Sequence, residues 1–295
     1  MSRDIEHAAA LIRAGKLVAF PTETVYGLGA SALDAQAVER IFAAKQRPRE
    51  SPLIVHVDSL EMARGLAAEW PESAETLARR YWPGPLTLIV FKKPEIPDIV
   101  TAGLPTVGVR MPAHPLALEL IRAAGVPIAA PSANRFTELS PTAAGHIDAA
   151  LADFVLDGGP AHVGIESTVL SLAGPPTLLR PGMIPLPEME ELIGPVHVED
   201  GAMGPHLAPG MHARHYRPKT PVYLLGPGQQ PSYSGNGAWL RIGREMPATP
   251  RDYAAALYAK LHQLDARRLD WIAVELPPDT PEWAGVRDRL RRAGD

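Results

Sequence analysis

Residues 43–57 read AAKQRPRESPLIVHV. Lys45, Arg47 and Arg49 crowd together, and an apolar run from Leu53 to Val55 follows and ends on His56. Upstream, Asp34 can cap a helix that runs to about Lys45, with Val38, Ile41 and Phe42 turned inward. The stretch therefore reads as helix, basic loop and buried strand, the repeating unit of an α/β sheet. A cation at the helix end is favoured by the helix dipole, which accounts for Lys45. It does not account for Arg47 and Arg49, which lie beyond the helix with Pro48 stiffening the loop between them. In a chain of net charge −4, such a cluster is either a solvated turn or the seat of an anion.

Working outward, residues 4–14 show helical spacing that stops at Gly15, and KLVAF is a short buried strand ended by Pro21. Helices are expected from Ser59 to about Ala68, from Ser73 to about Tyr81, from Pro115 to Gly125, and from Ser140-Pro141 onward. LTLIVF, TVGVRMP, PIAA and DFVLDGG read as strands, and TVLSL with TLLR as a closing strand pair. In TVGVRMP the alternation sets Val107 and Val109 on one face and Arg110 on the other. Strands and helices mix without strict alternation, so the sheet should contain parallel and antiparallel neighbours. From Ile184 to Pro221, prolines and glycines are expected to break every regular element. Beyond it, PVYLLG, AWLRIG and DWIAVEL are strands, with helices at about 252–264 and 282–292. Three parts follow: a first domain over 1–186, a proline-rich linker or lid over 187–220, and a small Rossmann-like α/β domain over 221–295.

The totals narrow the chemistry. The chain has 295 residues and no cysteine, so disulfides, thiolate nucleophiles, Cys-ligated zinc and iron–sulfur clusters are excluded. This fits a reducing cytoplasm. Arg3, Asp4 and Glu6 do not suit a secretory leader, and no apolar stretch is long enough to span a bilayer. The mild acidity argues against a chain-wide nucleic-acid surface, so any anion site must be local.

GLGASA (27–32) fits a loose dinucleotide pattern, but a basic cluster stands where that reading needs an acidic residue, and the glycines are read as a tight turn. His212 and His215 are spaced as a metal pair, with no acidic residue placed to complete the set. GIESTV lacks the glycine-flanked elbow of a serine hydrolase. The basic cluster reads better as a phosphate clamp, since Lys and Arg match a triphosphate by point charge and by fork. Arg110 is a cation in an apolar strand and needs an anion, structural or bound. Ser132 and Asn134 of PSAN, with Thr22 and Thr24 of PTETVYG, sit just past strand ends, where open α/β sheets bind ligands.

FPTETVYGLG, KQRPRESPLIVHV, TVGVRMP, PSAN, GIESTV and LLRPG occur in that order. Together they strongly resemble the YrdC-like family of threonylcarbamoyl-AMP synthases. Its Lys-x-Arg and later Ser-x-Asn stand here as Lys45-x-Arg47 and Ser132-x-Asn134. PGMHARHYRP (209–218) and the small C-terminal domain match the longer two-domain form. The resemblance implies a YrdC-like twisted mixed sheet with flanking helices, and a nucleotidyltransferase that makes threonylcarbamoyl-AMP and pyrophosphate from L-threonine, hydrogencarbonate and ATP. It implies that Lys45, Arg47, Ser132 and Asn134 are catalytic. Ser51, Thr106, Ser140, Arg180, His215, Tyr216 and Arg217 would join them around ATP. Thr24, His56, Arg110, Ala130 and Ser167 would hold threonine, Arg110 at its carboxylate. Ser51 departs from the Asn common at its position. No protein metal site is implied, because Mg²⁺ can be held mainly by the ATP phosphates. The product would pass to a tRNA threonylcarbamoyl-transferase complex, without stable nucleic-acid binding by this chain. Two rival readings are an RNA-binding module and a dinucleotide-dependent enzyme. The first lacks stacking aromatics among its basic residues.

Overall fold

The computed structural model describes residues 2–199, 216–226, 228–230 and 232–294. Strands β1 (Val18–Phe20), β2 (Gly27–Ser31), β3 (Ile54–His56), β4 (Leu86–Phe91) and β5 (Thr106–Arg110) are followed by β6 (Ile128–Ala129), β7 (Phe154–Val155), β8 (Thr168–Ser171), β9 (Thr177–Arg180) and β10 (His197–Val198). Among the described residues these make one ten-stranded sheet in the order β10-β9-β8-β4-β5-β3-β6-β2-β1-β7. It contains parallel pairs such as β3 with β5 and antiparallel ones such as β4 with β5, so the sheet is mixed as expected. A second sheet is wholly parallel: β13 (Trp271–Glu275) lies between β11 (Val222–Leu225) and β12 (Gly237–Leu240).

Helices α1 (Arg3–Arg13), α2 (Ala35–Lys45), α3 (Leu60–Leu66), α4 (Glu72–Tyr81), α5 (Asp98–Thr101), α6 (Pro115–Ala124) and α7 (Leu186–Ile193) accompany the large sheet. Helices α8 (Pro250–Asp265) and α9 (Ala284–Ala293) accompany the small one. Sheet side chains and helices share two apolar layers. Ile5, Ile12 and Ile121 pack on Phe20 and Ile128, while Val38, Ile41 and Leu77 pack on Leu28, Val55 and Leu88. The core of the small unit does not stop at its own edge, because Val25, Leu139 and Ile165 of the large unit belong to it. Among the described residues no helix is long and apolar enough to cross a membrane.

Four local expectations are corrected. GLGASA is a strand, β2, with every residue of Gly27–Ser31 buried, and not a turn. Its glycines serve packing: a Cβ on Gly29 would lie 2.7 Å from Phe20 Cε1 and 2.8 Å from Ile128 Cγ2. Ser140-Pro141 starts no α-helix and leads into short 3-10 turns at Ala144–His146 and Ala149–Leu151. The Ser140 hydroxyl that could have capped a helix is bonded to Glu166, and the Pro141 carbonyl accepts from the Tyr26 amide. The α4 helix starts at Glu72, after an extended Pro71, so Ser73 lies inside it. Finally, the proline-rich region holds a helix, α7, and the strand β10. Pro187 sits in the first turn of α7, where a missing N–H costs nothing, and Gly194 ends it with φ 80°. His212, His215 and the rest of 200–215 lie outside the described residues.

Candidate active site

The central strands end around an open cleft lined by residues of several of them. Register sets one wall. In the parallel β3–β5 pair His56 faces Arg110, and β6 pairs His56 with Ile128, so the chain turns into PSAN beside both. The bridge between Gly27 and Ser132 ties PSAN to the start of β2. Thr24, His56, Arg110, Ala130 and Ser167 all line the cleft, together with Arg47, Ser132, Arg180 and Tyr216.

One end is built on Arg110. The guanidinium is buried, with Nη2 2.6 Å from Glu23 Oε1. Nη1 donates to Thr24 Oγ1 at 2.9 Å and Nε to the Gly84 carbonyl at 3.3 Å. Glu23 Oε2 accepts from the Ala113 amide at 2.9 Å. The anion that Arg110 needs is therefore present in the fold, and among the described residues Nη1 and Nη2 make one side-chain contact each, of the two N–H groups that each carries. His56 beside it is neutral. Burial, then the Arg110 charge, pushes its pKa down to about 3. Its Nδ1 has no partner among the described residues.

The other end gathers cations, and the three of the opening cluster part ways. Lys45 is buried under PSAN, its ammonium donating to the main-chain carbonyls of Ser132 (2.6 Å) and Asn134. Burial, then nearby Arg47, pushes its pKa well below the ordinary lysine range. Arg47 lines the cleft. Nη2 donates to the Pro52 carbonyl at 3.2 Å, the guanidinium lies 5.8 Å from the Phe136 ring centre, and Nε has no partner among the described residues. Burial is the main reason its pKa falls to about 10, so it stays charged at neutral pH. Arg49 points into solvent and pairs with Glu39, so the clamp expected of all three loses one member. The loop turns outward after Pro48, where the Ser51 amide bonds the Pro48 carbonyl.

Arg180, at the end of β9, donates Nε to the Ser167 carbonyl (3.1 Å) and Nη2 to Ser167 Oγ (3.1 Å). Ser167 Oγ also meets Thr87 Oγ1 at 2.8 Å. Asn134 donates twice to carbonyls in its own turn, leaving Oδ1 without a partner among the described residues. Arg217 borders a neighbouring cavity shared with Asn134 and His262, and its amide bonds the Thr137 carbonyl. Three further expected nucleotide residues do not line this cleft, and the first, Ser51, is buried in the loop before β3. Thr106 opens β5 and faces a small separate pocket near Thr87, and Ser140 is fully buried behind the cleft wall.

Glu23 and Glu166 went unread in the sequence. Each is an acid inside an apolar motif, PTETVYG and GIESTV, and that was the available signal. Glu166 lines the cleft and is the more surprising, since an anionic ligand there would meet its charge. Its Oε1 accepts from Ser140 Oγ at 2.6 Å, and its Oε2 from Arg289 Nε at 2.7 Å and Tyr258 OH at 3.2 Å. Burial opposes its charge, yet Arg289, then Arg180 and Ser140, bring its pKa down to about 2. Among the described residues no three His, Asp or Glu side chains converge as metal ligands, and Glu166 of the cleft and buried Glu23 are each tied to an arginine.

Comparison with known proteins agrees with this geometry. A family model described as telomere recombination matches residues 10–182, and the threonylcarbamoyl-AMP synthase C-terminal domain matches 184–294. A threonylcarbamoyl-AMP synthase of Pyrococcus abyssi is 43% identical over 98% of this chain and 93% of its own length. One from Bacillus subtilis is 42% identical over 98% of this chain and 92% of its own. The crystal structure of P. abyssi Sua5 complexed with L-threonine superposes with a TM-score of 0.91 at 41% identity, covering 98% of this chain and 93% of that one. With ordered motifs, fold and whole-chain similarity in agreement, the chain belongs to the YrdC-like threonylcarbamoyl-AMP synthase family.

Proposed function

We propose that this enzyme joins L-threonine, hydrogencarbonate and ATP into threonylcarbamoyl-AMP and pyrophosphate. The observation that carries the reading is that one cleft is lined both by Arg110, already paired with buried Glu23 and bonded to Thr24, and by two further arginines, Arg47 and Arg180. Threonine and hydrogencarbonate condense to a carbamate with loss of water. A carbamate oxygen then attacks the α-phosphorus, and pyrophosphate leaves with the electron pair of the broken P–O bond. Little covalent work is asked of the protein, so positioning and charge carry the rate.

The spare N–H groups of Arg110 hold the threonine carboxylate, with Thr24, His56, Ala130 and Ser167 around the amino acid. Neutral His56 adds no second charge there. Arg47 and Arg180 face the phosphates, with Ser132, Asn134, Tyr216 and Arg217 about the nucleotide. Lys45 is bonded to PSAN carbonyls, so its part is to hold that turn in place or to release it when phosphate arrives. Ser140 acts through Glu166, and His215, Ser51 and Thr106 complete the proposed ATP set. Magnesium comes with ATP, held by phosphate and water, since the cleft carboxylates are already bonded. We place catalysis in the unit of the large sheet, which α7 and β10 carry past residue 186 to Val198, a linker and cover over the remainder to 220, and the small domain over 221–295. The product serves threonylcarbamoyladenosine formation in tRNA through a separate transferase complex in the cytoplasm. Pyrophosphate release from ATP should require threonine and hydrogencarbonate together. Threonine-independent release at the same rate would refute the reading.

A further inference from the structure

Glu166 poses a problem that the reaction does not solve. A carboxylate on the wall of a cleft that takes a triphosphate repels the ligand unless its charge is cancelled. The partner that cancels it comes from the other sheet's unit. Arg289, on α9, is fully buried and crosses the seam. Its Nε meets Glu166 Oε2 at 2.7 Å, its Nη2 donates to the Glu166 main-chain carbonyl at 3.1 Å, and its Nη1 donates to the Pro181 carbonyl at 2.8 Å. Nη1 also reaches Asp288 Oδ2 at 2.7 Å, and the guanidinium lies 5.6 Å from the ring centre of Tyr216 on the cleft wall. Tyr258 of α8 adds its hydroxyl to the same carboxylate oxygen. One side chain therefore grips the carboxylate and main chain of Glu166 together with the main chain just after β9. Such a fork is a geometry that lysine cannot copy.

We propose that Arg289 is a positioning residue for the nucleotide end of the cleft: it compensates Glu166 and holds it against Ser140 and Tyr258, so that the small C-terminal unit completes the ATP-facing wall. The inference rests on the proposed adenylate-forming reaction. It gives the C-terminal unit a stated task at the cleft and makes a selective prediction, because the Arg110 end does not touch Arg289.

The test measures binding of α,β-methylene ATP and of threonine, by calorimetry, to the full chain and its variants. In Arg289→Ala, nucleotide affinity should fall tenfold or more while threonine affinity changes less than threefold. Adding Glu166→Gln with Arg289→Met removes both charges, and this double variant should recover most of the nucleotide affinity, to within threefold of the parent. A merely structural arginine would weaken both ligands alike and would not be rescued by neutralising Glu166. Parent-like nucleotide binding by a folded Arg289→Ala, or a double variant as weak as the single, overturns the proposal. If Arg289→Ala does not fold, the double variant decides: near-parent nucleotide affinity supports compensation, and its loss overturns it. A parent protein that binds the analogue but releases no pyrophosphate refutes the reaction and leaves the Arg289 comparison readable. A parent that binds no nucleotide overturns both.

Discussion

Arg110 shows why one substitution needs two readouts. Removing it deletes the carboxylate contact proposed for threonine and also strands buried Glu23. Breaking a buried pair on one side costs about 3–5 kcal/mol, while removing both partners is often nearly neutral. Arg110→Ala should therefore lower thermal stability and abolish threonine binding. Arg110→Met with Glu23→Gln should restore the melting temperature and leave threonine binding absent. Recovery of threonine binding in the double variant would make Arg110 a purely structural residue. His56 gives a pH prediction. Its pKa is depressed from the ordinary 6.5 to about 3, so the unfolded chain takes up a proton that the folded one refuses. That contribution to stability is complete above pH 6.5 and is lost as pH falls toward 3, at about 1.4 kcal/mol per pH unit. Urea unfolding between pH 7 and 5 should show this slope, and His56→Gln should flatten it. An unchanged slope in His56→Gln would assign the acid sensitivity to other groups.

At the scale of an element, β2 is defined by what its glycines touch. Gly29 lies against the Phe20 ring and Ile128, so its Cα–H is the only surface that fits between β1 and β6. Gly29→Ala should cost about 1–3 kcal/mol by overpacking. Gly65, in α3, has nothing within 4 Å of where a Cβ would stand. Gly65→Ala should stabilise by about 0.5–1 kcal/mol, because only helix propensity changes there. Paired thermal melts check both, and opposite signs are expected. The same contrast explains the misread turn. A pattern of Gly-x-Gly-x-x-Ala describes backbone permissiveness, and permissiveness serves a tight turn and a close strand contact equally well.

Across the whole molecule, the seam between the two units is packed like an interior. Val25, Leu139 and Ile165 lie in the core of the small unit, and Gly285 of α9 sits directly on the Gly182 main chain, leaving no room for a Cβ. Gly285→Ala should push α9 away and separate the unfolding of the two units. Calorimetry should then show two transitions where the parent shows one, with the small unit melting first. A single transition at the parent temperature would mean that the seam relaxes freely.

The chain order by itself determined much. Apolar periodicity and caps placed α2, β3, β4, β5, α6 and the β8–β9 pair close to their observed bounds, because those signals act within a few residues. The ordered motifs singled out Arg47 just past the end of α2, Arg110 at the end of β5 and PSAN just past β6, positions that follow from local structure. What the sequence left undecided depended on partners distant along the chain. By charge pattern alone Arg49 could not be told from Arg47, and its pairing with Glu39 is seen only in the fold. Ser140 read as a helix cap because its partner Glu166 is twenty-six residues away. Arg289 carried no visible function, since its meaning comes from a carboxylate 123 residues earlier. Local propensity is an energy summed over neighbours in sequence. A buried charge is stabilised only by neighbours in space, and the tertiary fold alone decides which these are.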